Sequence, residues 1–354
     1  LAMIDHATEY AKLITSGGRI SCEAERLCCK RHLDDIEKSK DDAYPWYFDV
    51  ATAERHIKIA NMLSIGEGNG DRKLALRGFQ CFIIGSIFGW LSKTNKNKRR
   101  YTEAYISMGR QNGKSMLCGV LANDFATFSG YKNGKIFCTG TKAQQAKIVW
   151  DDVANFIRAD EDLLDLYKIK EYRHEIKSKV TGTEILALSG DTKRIDGHHP
   201  ILAIVDEYHQ HPTSRIYEAM QKGQISLESP LLVAITTAGE YLDYPCYEQY
   251  KLAKGVIKGR YDMPFYFVYI AESEMPNQKE DPVGFARALT DRNNWAKSNP
   301  YIAWKSDTEL SEEGLEKINK EAMPAIIKGG IDVNKYETKR LNIWVTNSDI
   351  KFID

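Results

Sequence analysis

The chain has 354 residues, roughly two to two and a half times a typical domain, enough to bury one large core plus a satellite. Apolar residues at 43% and charged residues at 28% exclude a disordered, fibrous or membrane-embedded class. Lysine plus arginine equals aspartate plus glutamate, which excludes a globally basic coat and leaves any nucleic-acid contact to local patches.

Residues 1 to about 70 read as helices, with apolar and small residues at helical spacing over Glu23–Ile36 and again over Ala51–Leu63. Leu76–Trp90 is a more apolar helix. Its richest stretch, Cys81–Leu91, is about half a membrane span and is interrupted by Gly85 and Gly89, so no membrane segment is expected. The amino terminus lacks the basic and apolar blocks of a secretory signal. The polar, basic turn Lys93–Arg100 follows, either a solvated loop or a contact for DNA phosphates.

From about residue 101, strand and helix alternate: strand Glu103–Ser107, helix Ser115–Phe128, strand Lys135–Cys138, helix Ala143–Ile157. Such alternation predicts an α/β fold with a parallel sheet and helices on its faces. A hairpin over Glu175–Lys179 and Glu184–Leu188 precedes the buried strands Ile201–Val205 and Leu231–Thr236 and a further strand, Pro264–Tyr269. After about 275 the chain turns charged and helical, with Glu312–Met323 and Asn334–Leu341 around the break Lys328-Gly329-Gly330. Seven scattered cysteines, an odd number without a C-x-x-C pair, argue for reduced thiols.

Strand Glu103–Ser107 runs through Met108-Gly109-Arg110-Gln111-Asn112-Gly113-Lys114-Ser115 into a helix, the context a phosphate-binding loop requires. Successive N–H groups and the helix start offer partial positive charge to the β- and γ-phosphates, Lys114 adds a full charge, and the Ser115 hydroxyl can ligate Mg²⁺. Gly113 lets the backbone approach the phosphates. The loop is a variant, because Met108 stands where the G-x-x-x-x-G-K-[ST] pattern wants its first glycine.

Downstream, Ile201–Val205 ends in Asp206-Glu207, two acids at the carboxyl end of a buried strand, where α/β sheets bind ligands. Asp206 is placed to hold Mg²⁺ and Glu207 to orient and deprotonate a water. Thr236 and Thr237, at the end of the next apolar strand, read either as sensors of the γ-phosphate or as an ordinary strand-to-loop turn. Gln80 reads as an adenine-recognition amide or as a polar helix position. Arg110 can act on the nucleotide in cis. Arg194, in a polar loop, is either solvated or able to reach a neighbouring subunit's nucleotide. His198, His199, His209 and His211 bracket the Asp206 strand without the partners or spacing of a zinc site.

The order Gln80, Arg110–Ser115, Asp206-Glu207 and Thr236-Thr237-Ala238-Gly239 resembles the large terminase subunits of tailed phages. Phe79–Ile83, Phe88-Gly89-Trp90, Asp206–His209, Asn299-Pro300 and Arg340-Leu341-Asn342-Ile343-Trp344 extend the resemblance over most of the chain. It implies a P-loop NTPase core of the additional-strand, catalytic-glutamate type over residues 76–275. A helical region (1–75) would precede it, and a small lid subdomain with a linker (276–354) would follow. It implies ATP and Mg²⁺ as ligands, with phosphates held by Gly109 to Ser115, and a motor that translocates double-stranded DNA. It further implies a portal protein and a small terminase subunit as partners, a homo-oligomeric ring, and a place in the host cytoplasm at the procapsid portal. The family also carries a nuclease after the Arg-Leu-Asn-Ile-Trp segment, so no nuclease activity is expected of residues 1–354. Two departures stand out: Gly109 where close relatives are expected to have proline, and Arg194 without an immediately following glycine. A related helicase or translocase and a nucleotide-binding scaffold without turnover are the other readings.

Overall fold

Buried β-branched and aromatic runs separated by helices assemble one central sheet. The computed structural model describes residues 4–65, 72–189 and 199–346. The amino-terminal part contains α1 (His6–Thr15), α2 (Glu23–Lys38), β1 (Trp46–Phe48), α3 (Val50–Met62), β2 (Ser64–Ile65), β3 (Arg72–Lys73), α4 (Gly78–Gly89) and β4 (Trp90–Ser92). The core follows with β5 (Glu103–Ser107), α5 (Lys114–Phe128), β6 (Lys135–Gly140), α6 (Ala143–Arg158), α7 (Glu161–Leu166), β7 (Tyr167–Lys170), β8 (Glu175–Ser178) and β9 (Glu184–Ser189). It continues through β10 (Leu202–Asp206), α8 (Arg215–Gln224), β11 (Leu231–Thr236), α9 (Pro245–Ile257) and β12 (Tyr266–Ile270). The last four helices are α10 (Pro282–Thr290), α11 (Arg292–Ser298), α12 (Glu312–Lys328) and α13 (Ile331–Lys339).

The eight-stranded sheet runs β12-β5-β11-β10-β6-β9-β8-β7. Strands β12 to β9 are parallel, and β8 and β7 are antiparallel additions at one edge. β11 separates the strand before the phosphate loop, β5, from the strand that ends in Asp206, β10, so this is the additional-strand arrangement. Right-handed crossovers place helices by direction of travel: α5 and α6 connect toward β9 on one face, α8 and α9 toward β12 on the other. The α/β P-loop expectation thus holds.

Helix α4 is apolar on every side and buried from Phe79 to Gly89, as a helix enclosed by others must be. Gly85 and Gly89 are what permit the enclosure. A Cβ on Gly85 would lie 2.9 Å from Ala7 Cβ, and one on Gly89 would lie 2.6 Å from Phe48. The glycines therefore let α1 and β1 pack close. The amino-terminal helices share one hydrophobic core with the sheet, whereas Leu289, Trp295, Trp304, Leu315, Ile318 and Tyr336 belong to a second, smaller core among α10 to α13.

Several boundaries differ from the sequence reading. The last strand begins at Tyr266 rather than Pro264, β7 was not expected, and α12 runs on through Pro324 to Lys328. The basic turn is half structural. Arg99 donates to the carbonyls of Tyr101, Ser229 and Pro230, and Arg100 Nη2 lies 2.7 Å from Asp35 Oδ2 with both side chains 2% exposed. Burial raises the Asp35 carboxyl, but Arg100 and Lys38 outweigh it and hold it below its ordinary value. Asp35→Ala leaves the Arg100 guanidinium buried without its counter-charge and is expected to cost about 3–5 kcal/mol in urea unfolding. An unchanged unfolding midpoint would show that the pair contributes nothing.

Candidate functional site

Parallel strands bring their carboxyl ends to one edge, and register fixes which residues meet there. Ser107 lies level with Thr236 and Ile270, and Asp206 with Ile235. Beyond Ser107 the chain turns through Gln111 at φ 61° and Gly113 at φ 77° into α5. The second turn suits glycine, and the first is a left-handed conformation held by surrounding bonds. The backbone N–H groups of Gln111 to Met116 donate to no acceptor among the described residues, so the loop offers a row of free donors at a helix start.

A cavity of about 340 Å³ opens over this row, lined by Arg110, Gln111, Gly113, Lys114, Ser115, Met116, Glu207 and Tyr301. Lys114 Nζ donates to the carbonyls of Met108 and Gly109, both at 3.1 Å. Burial pulls the ammonium down to about 8, opposed by the charges of Glu207 and Asp206. Asp206 is pushed up to about 7 by burial and by the charge of Glu207, which outweigh the Glu207 N–H and the Lys114 ammonium. Glu207, at φ 47°, turns out of the strand end. Burial raises its carboxyl, but His209 and Lys114 outweigh burial and hold it at about 2. His209 Nδ1 is 3.2 Å from Glu207 Oε2 yet aligned on Thr236 Oγ1 at 3.0 Å, so Oε2 has no well-directed donor. A phosphate chain with a divalent cation fits these residues: free N–H donors, an ammonium, a first-turn hydroxyl, a buried strand-end carboxylate and a second acid with a spare oxygen.

The carboxy-terminal helices and the segments that join them hold the phosphate loop from behind. Gly109 N–H donates to Ser298 O at 3.0 Å and Arg110 N–H to Lys339 O at 2.7 Å. Asn112 Nδ2 donates to Gly109 O and to Asn299 Oδ1, while its Oδ1 accepts from the N–H groups of Tyr301 and Ile302. Arg340 donates to Arg110 O and Gln111 Oε1 and pairs with Glu321. Asn342 bonds Ser107 Oγ, Ala271 O and the N–H of Ala238, stitching three strand ends together.

A family profile described as terminase large subunit, ATPase domain, matches residues 78–255, half of the chain. The chain belongs to this terminase family. Protein YmfN of Escherichia coli (strain K12) is 28% identical over 157 residues, 43% of this chain and 29% of that protein. The large terminase subunit of Enterobacteria phage HK97 is 28% identical over 137 residues, 38% of this chain and 27% of that one. The crystal structure of the HK97 large terminase matches with a TM-score of 0.65 at 22% identity, over 82% of this chain and 55% of that one, a likeness of fold. This chain therefore spans little more than half of the crystallised terminase and under a third of either curated relative in sequence.

Within the terminase fold, Arg110, Gln111, Gly113, Lys114, Ser115 and Glu207 line the cavity directly. Asp206 lies behind it, 4% exposed, with its Oδ1 accepting the Glu207 N–H. Gly109 and Asn112 bond to Ser298 and Asn299 of the carboxy-terminal part. Thr236 and Thr237 are fully buried, with Thr236 bonded to His209 rather than facing the cavity. Gln80 is fully buried: its Oε1 accepts the Arg77 N–H, and its Nε2 has no partner and lies 3.3 Å from where a Gly113 Cβ would sit. Arg194 and His198 lie outside the described residues. The other histidines are separate: His199 faces Gly223 O, His211 faces Asp206 O and His209 joins Thr236 to Lys339. Asn299, Lys339, Arg340 and Asn342 have no assigned role in the sequence reading, although three of them lie in segments that carry the resemblance. Among the described residues no helix is long and apolar enough to cross a membrane, and all seven cysteines are buried and free.

Proposed function

We propose that this chain is the ATP-hydrolysing motor domain of a terminase that translocates double-stranded DNA into a procapsid. The single observation that carries the reading is the cavity in which Lys114 and Ser115 face Glu207 beneath a row of free N–H groups. The loop from Gly109 to Ser115 cradles the phosphates, with Lys114 turning from the loop carbonyls to the β- and γ-oxygens. Ser115 and Asp206 would hold Mg²⁺, which would supply charge neutralisation at the phosphates. Glu207 orients the attacking water and accepts its proton. Arg110, exposed at the rim, reaches the γ-phosphate in cis, and Arg194 does so from a neighbouring copy. Gln80, with its unpartnered amide under the loop, serves the adenine end, and Thr236 and Thr237 relay the γ-phosphate state. In this reading 76–275 is the motor core, 1–75 a helical region joined to it and 276–354 the lid and linker. The ring acts in the host cytoplasm on the portal, with the small subunit as a partner.

Steady-state phosphate release from Mg-ATP, with and without linear duplex DNA, tests this. Turnover that rises with duplex DNA is expected, read against Glu207→Gln as the blank. Nucleotide binding without turnover under either condition counts against a DNA-coupled motor and favours a scaffold.

A further inference from the structure

His209 lies three positions beyond Asp206 in the short 3₁₀ turn Tyr208–Gln210, 4% exposed. Gly239 makes room for it: a Cβ there would lie 3.1 Å from both His209 Cβ and the Trp344 ring. The imidazole is thus confined between the strand end and the lid. Its Nε2 is 2.8 Å from Lys339 Nζ, and its Nδ1 is 3.0 Å from Thr236 Oγ1 and 3.2 Å from Glu207 Oε2.

We propose that His209 is a positioning residue that reports the seating of the lid to Glu207, with Lys339 fixing the imidazole tautomer that turns a proton toward the carboxylate. An ammonium has donors and no lone pair, so Nε2 must accept from Lys339. Burial keeps the ring neutral by lowering its pKa, so its one proton sits on Nδ1. Thr236 cannot supply that proton, because its hydroxyl donates to Thr237 O at 2.8 Å and already accepts the His209 N–H at 3.0 Å. Nδ1–H is therefore directed at Thr236 Oγ1 and lies beside Glu207 Oε2 at 3.2 Å, an electrostatic attraction rather than a hydrogen bond. With the proton on Nε2 instead, Nδ1 would be a lone pair 3.2 Å from a carboxylate oxygen, and the contact would change sign from attraction to repulsion.

Lys339 can perform this task only when the lid is docked. It ends α13, its own carbonyl takes the Arg110 N–H, and the next residue, Arg340, grips the phosphate loop at Arg110 O and Gln111 Oε1. A lid that lifts away withdraws Lys339, frees the tautomer and lets Glu207 swing. The device rests on the reading of Glu207 as the water-activating base.

Two measurements on the full chain decide it. Long-range ¹H–¹⁵N spectra of histidine-labelled protein, with the His209 signals assigned by their loss in His209→Gln, are expected to show Nδ1 protonated. In Lys339→Met they are expected to shift toward Nε2 protonation. An Nε2-protonated ring in the unaltered chain, or the same pattern in both proteins, overturns the proposal whether or not the isolated chain turns over ATP. In steady-state hydrolysis, His209→Ala and Lys339→Met should each lower kcat by about tenfold or more, with KM changed less than about threefold. The double variant should fall no further than the worse single one. His209→Gln, whose amide offers one acceptor and one donor, should regain most of the loss. Unchanged kcat in His209→Ala beside an inactive Glu207→Gln overturns the relay alone, whereas turnover in Glu207→Gln overturns the reading beneath it.

Discussion

Replacing Glu207 with glutamine is expected to lower kcat for ATP hydrolysis by about 10²- to 10⁴-fold, the range a positioned general base contributes. Nucleotide affinity should change by less than roughly threefold, because a glutamine fills the same volume and the phosphates are held by Lys114 and the loop N–H groups. The carboxylate lines the cavity, and its Oε2 lacks a well-directed donor, leaving an acceptor for a water. Its pKa of about 2 in the unliganded chain makes it a weak base at rest. His209 is the larger cause of that depression and Lys114 the next, so a turn of Lys114 toward a phosphate should restore part of the basicity as the nucleotide settles. Single-turnover and equilibrium-binding measurements with the same variant separate the two quantities. Wild-type turnover in Glu207→Gln removes Glu207 from the mechanism.

Lys114→Ala should have the second large effect, a fall of roughly 10³–10⁵ in kcat/KM from lost ground-state and transition-state contacts to phosphate. It should do so without unfolding the chain. The ammonium is buried, and its pKa of about 8 lies below the ordinary 10.5. A lysine depressed in this way opposes folding at pH 7 and ceases to do so as pH rises through 8 toward 10.5, a cost of about 3 kcal/mol below pH 8. Removing it should leave Tm equal to or above that of the unaltered chain. The same depression predicts that nucleotide affinity of the unaltered chain declines as pH rises past about 8, because the phosphate must then recruit a proton to Lys114. A Tm well below wild type in Lys114→Ala would mean that its bonds to Met108 O and Gly109 O hold the loop together.

How much of this was legible in the sequence depends on how local each signal is. Gly113-Lys114-Ser115 after a five-residue strand, and Asp206-Glu207 after an apolar one, carry their context within a dozen residues, and both fall on the cavity. The insertion of β11 between β5 and β10 followed from the family resemblance, since periodicity alone gives strands and not their order. The contacts behind the loop left no local trace: Asn112 meets Asn299, and the Arg110 carbonyl meets Arg340, across about two hundred residues, so the segments could be read but not their pairing. In Lys93–Arg100 only Arg99 and Arg100 depart from a solvated loop, for the opposite reason. A run of basic residues looks solvated until Asp35, far upstream, is seen to neutralise Arg100 in the interior.

Contacts of such long reach also set an order of events in biosynthesis. The phosphate loop leaves the ribosome early, but Ser298, Asn299, Lys339 and Arg340, which tie its backbone, come much later. At about 5–20 residues per second, roughly 10 to 45 s separate Arg110 from Arg340. The strand preceding the loop waits as well, since β5 takes its two neighbours from β11 and β12. Pairings this distant form late and slowly. A nascent or truncated chain that stops short of Arg340 therefore carries the loop's residues without the contacts that tie its backbone.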